Sequence, residues 1–281
     1  MTNRLLVSLC SVLALATIPG CVDPASVQVG DPSPRTAGGE TSDGACDVDA
    51  DAPRAVRTLS LPVAQYGSRD VRRSGAVVQL FPGGAIRGGE GCVAPACTQV
   101  TSDDAGTISA TLGMGSRIAY RVLPDADGAF VPTLAVGVSL AGERESIHAM
   151  PRALLDAMLA HAAIARDGSR GHLAGVVRDC RGAPIAGARL RVIDEDGREL
   201  PARDAPVLVS DPSTPALLTA GGDATTGSGR FAIVNLEPAR TLRIEAWTSS
   251  ASGARRVACR AAPVERDALT IVSLRGCEDG R

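Results

Sequence analysis

From residue 54 onward the chain alternates apolar and polar residues in short runs, each closed by Gly, Asp or Pro. Alternation of period two puts successive side chains on opposite faces of a strand, so each run reads as a half-buried β-strand. Ala188-Arg189-Leu190-Arg191-Val192 sends Leu190 and Val192 one way and both arginines the other. Asp194-Glu195-Asp196-Gly197 then supplies a turn, because Asp-Gly tolerates the positive φ that a hairpin requires. A polar insertion follows over residues 201–223, then Phe231-Ala232-Ile233-Val234, Leu242-Arg243-Ile244-Glu245-Ala246 and a closing strand over 268–274. Strands at these intervals, without alternating helices, predict an all-β fold built from antiparallel sandwiches.

The first half repeats the plan. Gly75-Ala76-Val77-Val78-Gln79-Leu80 parallels residues 187–192, and Asp104-Ala105-Gly106-Thr107-Ile108-Ser109-Ala110 parallels residues 227–233. Each is followed by another strand, Arg117-Ile118-Ala119-Tyr120-Arg121-Val122 in one copy and residues 242–246 in the other. Two copies of one sandwich account for this most simply. Between them Pro151 suits a first helical turn, and Leu154, Leu155, Met158, Leu159 and Ala162 form an apolar stripe at helical spacing that Asp167-Gly168 ends. The expected organisation is a signal over residues 1–20, a linker over 21–53, a divergent sandwich over 54–145, a connecting helix over 146–170 and a second sandwich over 171–277.

The second sandwich carries Gly175-Val176-Val177-Arg178-Asp179, Gly182-Ala183-Pro184-Ile185-Ala186-Gly187-Ala188, Gly229-Arg230-Phe231 and Asn235-Leu236-Glu237-Pro238. In these residues it resembles a carboxypeptidase regulatory-like domain, a transthyretin-like or Ig-like β-sandwich. Asp179 to Gly182 suits a turn, Pro184 and Gly187 fix the bend into the next strand, and Gly229 admits a tight turn before Phe231. The resemblance implies a non-catalytic module that accompanies other domains, with related folds that bind carbohydrate. In the first sandwich Ile108 stands where Phe231 stands in the second.

The start of the chain points to export. One positive charge at Arg4 precedes an apolar run over residues 5–18 that is short for a membrane span. Ile18-Pro19-Gly20-Cys21 resembles the lipobox of bacterial lipoproteins, which implies cleavage before Cys21 and its acylation; an ordinary secretory signal with a chance cysteine is the other reading. Val22 after that cysteine implies, by the same resemblance, the outer membrane. Residues 22–53 are rich in Gly, Pro, Ser, Thr and Asp, the composition of a tether. With Cys10 lost and Cys21 acylated, Cys46, Cys92, Cys97, Cys180, Cys259 and Cys277 remain as disulfide candidates with 15 connectivities open, and Cys92 to Cys97 is the easiest loop to close.

Candidate chemistry is sparse. The 281 residues have a net charge of -2, and 21% are charged, so nucleic acid is not an expected partner. All 29 basic residues are Arg, which reads as codon bias, and aromatics are only 2% of the chain. Cys46-Asp47-Val48-Asp49-Ala50-Asp51 alternates acids as a calcium loop does but lacks its Gly and bidentate Glu, so a solvated linker is the expectation. No zinc-ligand spacing occurs, and neither a metal nor a cofactor is expected. Asp194, Glu195 and Asp196 read as a solvated turn, and His148 and His161 as surface or helix-terminal residues. Ser228 lies between strands and lacks the elbow of a nucleophile, leaving His172 as an isolated base. Trp247 follows the inward-facing Leu242, Ile244 and Ala246, which places it outward as a stacking or docking platform, unless a neighbouring domain or the helix covers it. The expected activity is recognition or scaffolding of an envelope protein. The alternatives are glycan binding, with Trp247 beside a groove, and a hydrolase in which His172 meets a carboxylate and a Ser.

Overall fold

A computed structural model describes residues 55–276 except 69, 87–91, 115–116, 140–145, 215–216, 239 and 251–252. The signal, Cys21, the linker, the acidic run at 46–51, and Cys46 and Cys277 lie outside the described residues.

The described chain is mostly β-structure with one short helix. In order, the first half contributes β1 (Ala55–Gln65), β2 (Val77–Pro82), β3 (Thr98–Thr101), β4 (Thr107–Met114), β5 (Arg117–Val122), β6 (Phe130–Val131), β7 (Thr133–Ser139) and β8 (Ile147–Pro151). The helix α1 (Arg152–His161) follows, then β9 (Gly171–Asp179), β10 (Arg189–Ile193), β11 (Val207–Ser210), β12 (Leu218–Ala220), β13 (Arg230–Leu236), β14 (Arg240–Ser250), β15 (Gly253–Val264) and β16 (Leu269–Gly276).

Three sheets form, ordered β4-β1-β8-β6, β10-β14-β15 and β12-β11-β13-β9-β16-β7-β5-β2-β3. The nine-stranded sheet is the central layer, and strand alternation divides its side chains between two cores. Val78, Leu80, Ile118, Tyr120, Ala174, Ala232 and Ile271 pack on one face with β1, β8 and α1. Leu134, Leu173, Val177, Phe231, Ile233, Val272 and Leu274 pack on the other with Leu242, Ile244, Ala246 and Ala258 of the three-stranded sheet. β2 pairs antiparallel with β5 and β10 with β14, and β1 pairs antiparallel with β4 and β13 with β9.

Four expectations need correction. The halves do not stand as purely antiparallel separate sandwiches, because β16 lies parallel to both β7 and β9 and makes one sheet of them. Leu269, Thr270, Ile271 and Val272 are buried, which is the near-continuous burial of a strand covered on both faces. β1 and β8 are also parallel. The span expected as a connecting helix opens with a strand: Pro151 closes β8 and caps α1 from an extended conformation, and the helix stops at His161 because Ala163 has φ 57. The polar insertion holds β11 and β12, whose Leu208, Val209 and Leu218 are buried.

The turn chemistry agrees with the residues that suggested it. Asp179 Oδ1 accepts the backbone N–H of Arg181 at 2.9 Å and of Ala183 at 2.8 Å, and Gly182 has φ 87. Asp194 does the same for Arg198 at 2.7 Å, with Gly197 at φ 79. Asp194 is thus a turn residue, while Glu195 accepts the Thr241 N–H at 3.0 Å and Asp196 lies 3.5 Å from Arg198.

Candidate functional site

The outer face of the β10–β14–β15 sheet brings together charged side chains far apart in sequence. Register sets Arg189 opposite Trp247 and Trp247 opposite Arg256; the next row is Arg191, Glu245 and Cys259, and the next Ile193, Arg243 and Ala261. A bulge between Ala246 and Trp247 keeps these residues on the outward side while Leu242, Ile244 and Ala246 fill the core.

Glu245 organises the face. Its side chain is only 5% exposed, and its carboxylate lies 3.0 Å from Arg243 and 3.2 Å from Arg256. Its other oxygen accepts the indole N–H of Trp247 at 2.9 Å. The Arg191 guanidinium stacks 4.6 Å from the centre of the same ring, and its charge is drawn to the negative π face. Trp247 is therefore outward and half-buried, with the Arg191 guanidinium over its ring. One ring face and the N–H are already engaged, which leaves less indole for a sugar than an open platform would offer. What the face presents instead is guanidinium groups, two of them beside a buried carboxylate, a type of group that binds carboxylate or phosphate.

His172 lies elsewhere, in β9 beneath α1. It is 1% exposed, its Nδ1 accepts the Asn235 backbone N–H at 3.4 Å, and its Nε2 has no hydrogen-bond partner among the described residues. Above it Arg166 pairs with Asp267 and, at 2.5 Å, with Asp156, while Arg152 reaches Asp267 at 2.8 Å. Ser228 bonds instead to Ser210 at 2.5 Å, so neither ring nitrogen joins a Ser and a carboxylate into a nucleophilic set. A cavity of about 20 Å³ that His172 lines with Tyr66, Leu155 and Met158 has room for about one water.

Burial, with Arg166 second, pushes the His172 pKa down to about 4, and the opposing pull of Asp267, Asp156 and Asp167 is smaller. Between pH 6.5 and 4 the unfolded chain binds a proton that the folded one does not, so stability rises with pH across that window. Acidifying from pH 7 to 4 costs on the order of 3 kcal/mol through this group. Urea midpoints of the wild type should fall over that range, and those of His172→Gln should fall much less; equal slopes would remove His172 as the cause.

His148 corrects its expectation: it is buried in β8, edge-on to Tyr66 at 6.1 Å, with its backbone N–H donating to Tyr120. Burial raises the Tyr120 pKa. His161 is exposed in the last turn of α1, the terminal position expected. Cys92 and Cys97 form a disulfide, and Cys180 and Cys259 are disulfide-bonded. Among the described residues no His, Cys, Asp or Glu cluster is arranged to hold a metal, and no helix is long and apolar enough to cross a membrane. Sequence reading missed the arginine face and a buried network in which Arg121 pairs with Glu265 and donates to Gln79 at 3.0 Å.

The fold and this face define a mostly-β protein of packed sheets with a cationic outer surface. No family model matches the chain, and no curated protein matches it. Among solved structures, the Bacillus anthracis TIE protein aligns at 10% identity over 79% of this chain and 34% of its own, with a TM-score of 0.22. The minor pilin of Streptococcus agalactiae aligns at 14% identity over 79% of this chain and 97% of its own, with a TM-score of 0.23. The major pilin SpaD of Corynebacterium diphtheriae aligns at 11% identity over 73% and 66%, with a TM-score of 0.20. This chain spans about a third of the length of the Bacillus protein. Identity at this level carries no residue role from those proteins to this one.

Proposed function

We propose that the chain is a non-catalytic lipoprotein of the bacterial outer membrane, anchored through an acylated Cys21, that recognises or scaffolds another envelope component. The arginine face is the contact surface, and the partner presents carboxylate or phosphate groups. One observation carries this reading: Arg189, Arg191, Arg243 and Arg256 project from one sheet face of a chain whose net charge is -2, with a buried Glu245 beside Arg243 and Arg256 and with Arg191 stacked on Trp247 and 3.8 Å from Glu199. An array of this kind favours anionic partners by Coulomb attraction and by bidentate hydrogen bonding.

The test is affinity purification of the membrane-extracted protein beside its Arg189→Ser/Arg191→Ser variant. The partner recovered by the wild type at low salt should be lost from the variant and released by raised salt. Recovery of the same partner by both proteins would remove the face from the account.

A further inference from the structure

We infer that Arg178, Arg230 and Arg275 form a binding site for a monoester phosphate group on the open end of the nine-stranded sheet. The site is separate from the arginine face, which belongs to the three-stranded sheet, and it does not depend on the anchor.

Register and alternation bring the three together. On the face that packs with β1, β8 and α1, Ala174, Ala232 and Ile271 form one row, and all three are buried. Two residues along β9, Val176 lies between Arg230 and Ser273; two residues further, Arg178 lies beside Arg275. Each residue of these last two rows is half-buried, so the cover over the sheet ends at the first row and the arginines line the step that is left. Neighbouring strands are about 4.8 Å apart, which sets Arg178 and Arg275 side by side.

One turn brings two of the guanidinium groups to the same place. The Gly182 carbonyl accepts Arg178 Nη1 at 2.6 Å, and a Cβ on Gly182 would stand 3.2 Å from Arg275 Nη2. Arg275 Nε also donates to the Asp179 carbonyl at 3.4 Å. Alternation turns the Asp179 side chain to the opposite sheet face, where its Oδ1 accepts the N–H groups of Arg181 and Ala183. Like charges this close repel, and half-burial thins the water that screens them. Burial, followed by the charges of Arg275 and Arg230, holds the Arg178 pKa below the ordinary arginine value. An anion that reaches all three arginines offsets that repulsion. A monoester phosphate brings about 1.5 to 2 negative charges at neutral pH and three acceptor oxygens, and guanidinium forks match its geometry. A carboxylate has one charge and two oxygens, which a single arginine engages in full.

The test is calorimetric titration of inorganic phosphate into the full-length protein at neutral pH and constant ionic strength. The wild type should bind at a single site, and Arg275→Gln and Arg230→Gln should each bind about tenfold more weakly. Arg189→Ser/Arg191→Ser should bind as the wild type does. Phosphate should also raise the urea midpoint of the wild type and leave that of Arg275→Gln in place, a response that a merely structural role for Arg275 does not give. Unchanged affinity in both glutamine variants overturns the site, as does an absence of wild-type binding at millimolar phosphate. Binding that Arg189→Ser/Arg191→Ser alone abolishes belongs to the other face and overturns it too. Flotation of Cys21→Ser, which cannot be acylated, with phosphatidylcholine vesicles that contain or lack phosphatidic acid separates the two sources of the group. Flotation that needs phosphatidic acid and Arg275 assigns a lipid headgroup, and phosphate binding without flotation assigns a soluble phosphate.

Discussion

Gly175→Ala should destabilise the protein by about 3 kcal/mol, a large share of the roughly 5–15 kcal/mol by which a native protein is stable. Gly175 sits in β9 between β13 and β16, with Phe231 on one side and Val272 on the other. A Cβ there would stand 2.3 Å from the Val272 carbonyl oxygen and 2.8 Å from the tip of the Phe231 ring. The oxygen belongs to backbone fixed in the ladder, so the clash is relieved only by separating the strand that joins the two halves. Phe231 is 1% exposed and is one of the few aromatics available to fill the core, so it has no space into which to turn. Gly227→Ala, where a Cβ would meet nothing within 4 Å, is the control and should shift the urea midpoint little. Similar midpoints for Gly175→Ala and wild type would contradict the close packing of β9 on β16.

Glu245→Ala should cost about 2–3 kcal/mol, somewhat less than the roughly 3–5 kcal/mol of a fully buried broken ion pair, because Arg243 and Arg256 keep side-chain exposures of 38% and 28%. The alanine leaves the Arg256 guanidinium and an indole N–H without their acceptor and removes the carboxylate charge beside Arg243. Trp247 is the chain's single Trp, so fluorescence reports on this face alone. Emission should move to longer wavelength in Glu245→Ala as the ring loosens from Arg191. Glu245→Gln, which keeps an acceptor for the indole, should lose stability through the ion pairs yet shift emission less. An unchanged spectrum in Glu245→Ala would show that the carboxylate does not hold the ring.

What could be read from residues was what depends on near neighbours. The strand at residues 117–122 has the bounds of β5, and the outward side of Trp247 and the turns at Asp179 and Asp194 follow from alternation and Asp/Gly chemistry. The shared sheet was not legible, because the pairing of β7 with β16 joins residues more than 130 positions apart and leaves no local period. The arginine face was hidden for the same reason. Its members come from three strands, one of them bulged, and each arginine alone is an ordinary outward residue in a chain whose basic residues are all Arg. His148 was misjudged from its place near the helix, since its burial comes from β1 alongside β8 and from Tyr66.

The most direct test of an anchored envelope protein is the intact mass of the membrane-extracted chain, measured with and without reduction. The account predicts a chain of residues 21–281 carrying acyl groups, whose mass rises by six hydrogens when the disulfides of the six remaining cysteines open. A chain that starts elsewhere without acyl mass, or whose mass does not change on reduction, would contradict it.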